Sequence, residues 1–101
     1  DRTLFTAWCG LPEPSISGLL AREAFDAVTV DMQHGAIDFA EAVQALPLIG
    51  AAGKPAIVRI PVGQFAMGSR FLDAGASALM GRSRCRRCSR RTTSPRPMDS
   101  P

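Results

Sequence analysis

Val28-Thr29-Val30-Asp31-Met32-Gln33-His34-Gly35 passes from three β-favouring residues into an acid, an amide, the only histidine of the chain and a glycine. Such a run reads as a buried strand that leaves the core and becomes a polar loop. In parallel α/β sheets, chemistry collects just beyond the carboxyl ends of the strands. This loop is therefore the first place to look for a site.

The flanking segments repeat the theme. Upstream, Leu4-Phe5-Thr6-Ala7-Trp8 is a short strand-like run closed by Cys9-Gly10-Leu11-Pro12. Glu13-Pro14-Ser15 opens a helix, with proline and an acid in its first turn, and Ile16, Leu19, Leu20 and Ala24 recur at helical spacing. Downstream, Asp38 followed by Glu41 is a capping-box pattern, and Phe39, Ala42, Val43, Leu46 and Ile49 form one helical stripe. Pro47 within that stripe predicts a kink or an early end. Gly53-Lys54-Pro55 is a break, after which residues 56–61 read as a third strand carrying Arg59. Residues 64–72 predict a helix with Phe65, Gly68 and Phe71 or Leu72 on one side, and residues 77–80 begin a fourth strand. The order is βαβαβαβ with nearly unbroken apolar strands, which predicts a parallel sheet covered by helices. No repeat is visible beyond this alternation.

The chain has 101 residues, enough for one small domain with a modest core. Its 46% hydrophobic and 21% charged content argues against disorder through most of its length. No apolar run approaches the roughly 20 residues of a transmembrane helix, and no leader-like basic-then-apolar start is visible. The first residue is Asp1, so the start of the chain can lie further upstream. Charge divides sharply by position. Residues 1–80 hold five basic and eight acidic residues, whereas residues 81–101 hold seven arginines and one acid, Asp99. The formal net charge of +3 thus joins an acidic globular part to a very basic tail. Cys9 stands alone in the globular part and Cys85 and Cys88 lie in the tail, an odd number that fits a reducing, cytoplasmic setting without disulfides.

From Gly81 onward the apolar periodicity stops in the middle of a strand, leaving an irregular tail that cannot bury a core. An arginine-rich arm would attract nucleic-acid phosphates, which gives one alternative reading: a small α/β interaction module with a basic tail. Cys85-x-x-Cys88 is half of a zinc pattern without a second ligand pair. The reading favoured by the abrupt onset is an out-of-frame ending, because GC-rich codons in the wrong frame yield Arg, Ser, Pro and Cys.

Three groups fall near predicted strand ends: Asp31 with Gln33 and His34, then Arg59, then Asp73. A histidine moves protons near neutral pH, and a carboxylate partner orients it. An arginine holds a carboxylate or a developing enolate oxygen by paired hydrogen bonds. Together they suit proton transfer next to a carbonyl. Plainer roles compete: Arg59 as an ion-pair partner of Asp31 or Asp73, Asp73 as the end of its helix, and Trp8 and Cys9 as core or pocket wall.

Four pieces, in order and spacing, carry a resemblance: Phe5-Thr6-Ala7-Trp8-Cys9, residues 24–35 from Ala24 to Gly35, Val58-Arg59-Ile60-Pro61 and Leu72-Asp73-Ala74-Gly75-Ala76. Over residues 4–80 the chain resembles the N-terminal part of the HpcH/HpaI aldolase family, metal-dependent pyruvate aldolases related to the citrate lyase β-subunit. The resemblance implies a (β/α)8 TIM barrel, here about its first half. It implies a lyase that cleaves 4-hydroxy-2-oxo acids to pyruvate and an aldehyde. His34 corresponds to the family's active-site histidine, Asp73 to its carboxylate partner and Arg59 to the arginine on the pyruvyl group, with Asp31, Gln33 and Trp8 around the substrate. Many members carry glutamate where this chain has Gln33. The family uses a divalent cation (Mg2+, Mn2+ or Co2+) to polarise the 2-oxo acid, bound by a glutamate and an aspartate from later strands, so no metal ligand is assigned here. Family barrels assemble as hexamers. Half a barrel leaves strand edges open, and the 101-residue chain alone is expected to lack turnover. Neither a membrane nor nucleic acid is expected as a partner of the globular part.

Overall fold

The computed structural model describes residues 2–82. Its elements follow in the order β1 (Thr6–Cys9), α1 (Pro14–Ala21), β2 (Ala27–Asp31), α2 (Phe39–Ala51), β3 (Ala56–Arg59), α3 (Phe65–Asp73) and β4 (Ala78–Met80). The four strands form one sheet in the order β1-β2-β3-β4 with every pair parallel. Neighbours that are consecutive in sequence, joined by crossovers of one hand, bring all three helices to the same face. The predicted α/β half-barrel pattern is therefore present, element for element.

Local chemistry explains the boundaries. The Glu13 carboxylate accepts the Ser15 N–H at 3.2 Å, and Pro14 stands in the first turn, where its missing N–H costs nothing. At α2 the capping box is complete: Asp38 accepts the Glu41 N–H at 2.9 Å, while Glu41 accepts the Asp38 N–H at 3.0 Å. Pro47 does not end α2, which runs four residues further. Pro47 lies on the exposed side of the helix, away from the buried stripe of Ala42, Ala45, Leu46 and Ile49. The third helix also departs from expectation. Gly68 and Phe71 are buried against the sheet, whereas Phe65 is 54% exposed in the first turn, beyond the sheet's cover.

Period-two alternation divides the two sheet faces. Ala7, Cys9, Val28, Val30 and Val58 point toward the helices and join Ala42, Ala45, Leu46, Ile49 and Phe71 in one core. Gly68 lets α3 lie close to β4, since a Cβ there would meet Leu79 Cδ1 at 2.8 Å. The other face carries Thr6, Trp8, Thr29, Asp31, Arg59 and Met80. Among the described residues no helix covers it, and Trp8 is 47% exposed there. Thr6 and Thr29 share a hydroxyl–hydroxyl hydrogen bond of 2.8 Å across β1 and β2.

At the amino edge of the sheet, the Lys54 ammonium donates to the carbonyls of Ala21, Glu23 and Phe25 at 3.1, 2.9 and 2.6 Å. These are spare carbonyls at and beyond the end of α1, where a cation is favoured. The last strand ends at Met80, and beyond it the Gly63 N–H donates to the Arg82 carbonyl, which keeps the chain beside the β3–α3 connection through Arg82. Cys85, Cys88 and the remaining tail arginines lie outside the described residues.

Candidate active site at the carboxyl ends of the strands

Asp31 is the last residue of β2 and only 5% exposed. A carboxylate so placed survives only if its oxygens are satisfied. Oδ1 accepts the backbone N–H groups of Gln33 at 2.9 Å and His34 at 3.1 Å. Oδ2 accepts the Trp8 indole N–H at 3.0 Å and faces Arg59 Nη1 at 3.6 Å. Burial pushes the Asp31 carboxyl upward, but the Trp8, His34 and Gln33 donors and the Arg59 charge outweigh it and hold the group below the usual carboxylate range. Asp31 is thus occupied with ordering the loop and its neighbours. Of the two roles open to Arg59, the ion pair with Asp31 is present in the structure.

The loop that begins at Asp31 is held from three sides. The Met32 N–H donates to the Arg59 carbonyl at 2.9 Å, and the Ala36 N–H donates to the Gly10 carbonyl at 2.8 Å. Gly35 sits directly on the backbone of Gly10. A Cβ on Gly35 would lie 2.3 Å from the Asp31 carbonyl oxygen and 2.8 Å from Gly10 Cα, so no other residue fits. The loops after β1 and β2 are in this way fastened backbone to backbone, and His34 is presented outward with its ring exposed.

Arg59, at the end of β3 in register with Asp31, completes the cluster. Its guanidinium carbon lies over the Trp8 ring at 5.5 Å from the centroid. A separation of 3.6 Å to Asp31 is an ion pair rather than a hydrogen bond. Among the described residues the Arg59 side chain makes no hydrogen bond, so its fork of N–H donors is held by charge and ring contact while remaining open to a ligand. Gln33 contributes its backbone N–H, with its side chain half-buried beside the loop.

Asp73 stands apart. It is the final residue of α3. A helix between two parallel strands returns the chain to the amino edge of the sheet, so Asp73 lies at the opposite end from His34 and Arg59. Nine helical residues separate the two levels by on the order of 13 Å. Within the described chain this carboxylate ends its helix just before β4, and no hydrogen bond or ion pair links it to His34, so its role as the partner of that histidine is a proposal. Nor do the described residues provide a metal cage, since no three of their His, Cys, Asp or Glu side chains converge. The Asp31 oxygens already have their donors.

Sequence reasoning placed Trp8 on a pocket wall and missed its double contact with Asp31 and Arg59. The available signal was strand parity: Trp8, Asp31 and Arg59 all occupy the sheet face opposite the core residues. Gly10 and Gly35 carried a signal too, each being the first glycine after a strand.

No family model matches the sequence. The hydroxypyruvate/pyruvate aldolase of Rhizorhabdus wittichii is 35% identical over 79 residues, covering 78% of this chain and 32% of that protein. The hydroxypyruvate/pyruvate aldolase of Paraburkholderia phytofirmans is 34% identical over 79 residues, covering 76% and 30%. Among solved structures, an HpcH/HpaI aldolase/citrate lyase family protein from Burkholderia cenocepacia superposes with a TM-score of 0.70 at 34% identity, covering 80% of this chain and 32% of that one. The chain spans about a third of the length of the curated relatives it matches. The structural neighbours are TIM-barrel aldolases and lyases, and the four parallel strands correspond to part of such a barrel. By sequence and by fold, the chain is similar to the first strands and helices of HpcH/HpaI aldolase family barrels.

Proposed function

We propose that this chain forms the first part of a carbon–carbon lyase that cleaves a 4-hydroxy-2-oxo acid to pyruvate and an aldehyde. One observation supports the reading above the others. Arg59 reaches the open sheet face with its N–H fork free of side-chain hydrogen bonds among the described residues, beside the loop that presents His34. A guanidinium so placed receives the carboxylate of a 2-oxo acid and adds positive charge where an enolate oxygen develops. His34, exposed on a loop anchored at both ends, is in position to take or return the proton of the cleaved hydroxyl. Trp8, Asp31 and Gln33 form the wall that holds these two groups. Asp73 belongs to the same reading as the carboxylate partner of His34, although within the described chain it ends its helix at the other edge of the sheet.

Dependence on a divalent cation is part of the same reading, but the described residues do not form a site for one. Any ligands would come from elsewhere in the barrel, and no step is assigned to the metal here. Assembly into a hexamer and a cytoplasmic location belong to the reading in the same way. No described helix is long and apolar enough to cross a membrane.

A chimera tests the proposal. Residues 2–82 would replace the matching segment of the Rhizorhabdus wittichii aldolase, with pyruvate release from a 4-hydroxy-2-oxo acid followed in the presence of magnesium, manganese or cobalt. Turnover that disappears in His34→Ala and Arg59→Ala is the expected result. A folded chimera in which both variants keep full turnover would contradict the assigned roles.

A further inference from the structure

Trp8 touches both charged groups of the site, and each contact uses a different part of the indole. Its N–H donates to Asp31 Oδ2 at 3.0 Å, and its ring face lies under the Arg59 guanidinium. It does so from β1, across β2, to the end of β3, so a single side chain spans three strands. Trp8 is also 47% exposed on the face away from the core, so about half of its ring is turned outward rather than packed among apolar side chains. Asp31 and Arg59 are 3.6 Å apart, too far for their own hydrogen bond, which leaves Trp8 as the hydrogen-bonded element on that side of the carboxylate.

We propose that Trp8 is the positioning residue of this site: its indole N–H fixes the Asp31 carboxylate, and its ring carries the Arg59 guanidinium, so that Arg59 keeps one orientation without spending any of its N–H donors. The proposal rests on the reading of Arg59 as the receiver of a 2-oxo acid carboxylate. A cation–π contact is the kind of restraint this task needs. A hydrogen-bonded restraint, such as a bidentate pair with Asp31, would occupy the same donors that a substrate carboxylate requires. The two contacts are separable by substitution, because phenylalanine retains a ring and lacks the N–H, whereas leucine lacks both.

The experiment uses the full 101-residue chain and its Trp8→Phe and Trp8→Leu variants. NMR follows the Asp31 side-chain carboxyl through a pH titration, the Arg59 Nε–H resonance, and the response of both to added pyruvate, with acetate as a control. In Trp8→Phe the Asp31 titration moves upward, while pyruvate binding stays within about twofold of the parent because the ring persists. In Trp8→Leu the titration moves upward as well, the Arg59 Nε–H resonance loses its distinct shift, and pyruvate binding weakens by about two- to fivefold or more. A residue that only stabilises the fold would lower the melting temperature of both variants and leave these three readings unchanged in the folded chain. That result, with pyruvate still bound normally, would overturn the proposal while leaving the proposed function standing. If pyruvate binds none of the three proteins yet the Asp31 and Arg59 changes appear, the positioning role holds and the substrate reading fails.

Discussion

At the carboxyl ends of the strands, Asp31 gathers the N–H groups of Gln33, His34 and Trp8; at the amino ends, Lys54 gathers the carbonyls of Ala21, Glu23 and Phe25. The charges are opposite because the backbone groups left over are opposite. A loop turning from a strand toward a helix exposes N–H groups, and the end of a helix exposes carbonyls. Each end of the sheet thus has one charged side chain that collects what secondary structure leaves unpaired. The ends differ in what remains unspent. Lys54 spends its ammonium on three carbonyls, while around Asp31 the Arg59 fork and the His34 ring are left over among the described residues. Chemistry belongs at the end with the surplus, and a tethered backbone there is what makes the surplus usable.

The largest test of this contrast is Gly35→Ala. Its methyl group would overlap the Asp31 carbonyl at 2.3 Å, forcing the two loops apart. We expect a loss of about 3 kcal/mol or more, measured by urea denaturation, with amide resonances of residues 31–36 displaced. Next comes Asp31→Asn, which keeps the shape and loses the charge-assisted bonds. It should cost about 2 to 3 kcal/mol at neutral pH.

The same variant has a pH signature. Because the folded-state pKa of Asp31 is depressed, its stabilisation is fully present above the unfolded value of about 3.9. It is lost as pH falls through the lower folded value. The gap in stability between parent and Asp31→Asn should therefore narrow on acidification below about pH 4, a trend that denaturation at several pH values will show.

Lys54→Met probes the other end. Losing three ammonium–carbonyl bonds should cost about 1.5 to 2 kcal/mol. Amide exchange should quicken around residues 22–26 while the loop from Asp31 to Ala36 keeps its protection. Smallest of all is Asp73→Asn, expected to change stability by less than about 0.5 kcal/mol and to leave the Arg59 and His34 resonances in place. A clear shift of either would show that the two ends of the sheet are not independent.

The elements were readable because their signals are local. Periodicity located every helix and strand, and Asp38 with Glu41 marked the start of α2 to the residue. Pro47 pointed to a kink or an early end, and the helix runs on past it with the proline on its exposed side. Phe65 misled because helical spacing does not reveal where the sheet beneath it ends. At the site, Asp31, His34 and Arg59 were placed by the ends of their strands, a property of the topology. The sequence sets Asp73 just before β4, where it is found; its pairing with His34 rests on the resemblance alone, and a helix that precedes a strand finishes at that strand's near end. The Lys54 clasp left no trace in the sequence, since its three partners lie 29 to 33 residues away and are all backbone oxygens.

The most direct test of the central claim is an NMR titration of the chain with pyruvate, in which both ends of the sheet report at once. The account predicts saturable shifts at the Arg59 Nε–H, the Trp8 indole N–H and the His34 loop, abolished by Arg59→Ala, with Lys54 and Asp73 unmoved. Saturable shifts at Lys54 or Asp73 with none at Arg59 would contradict it.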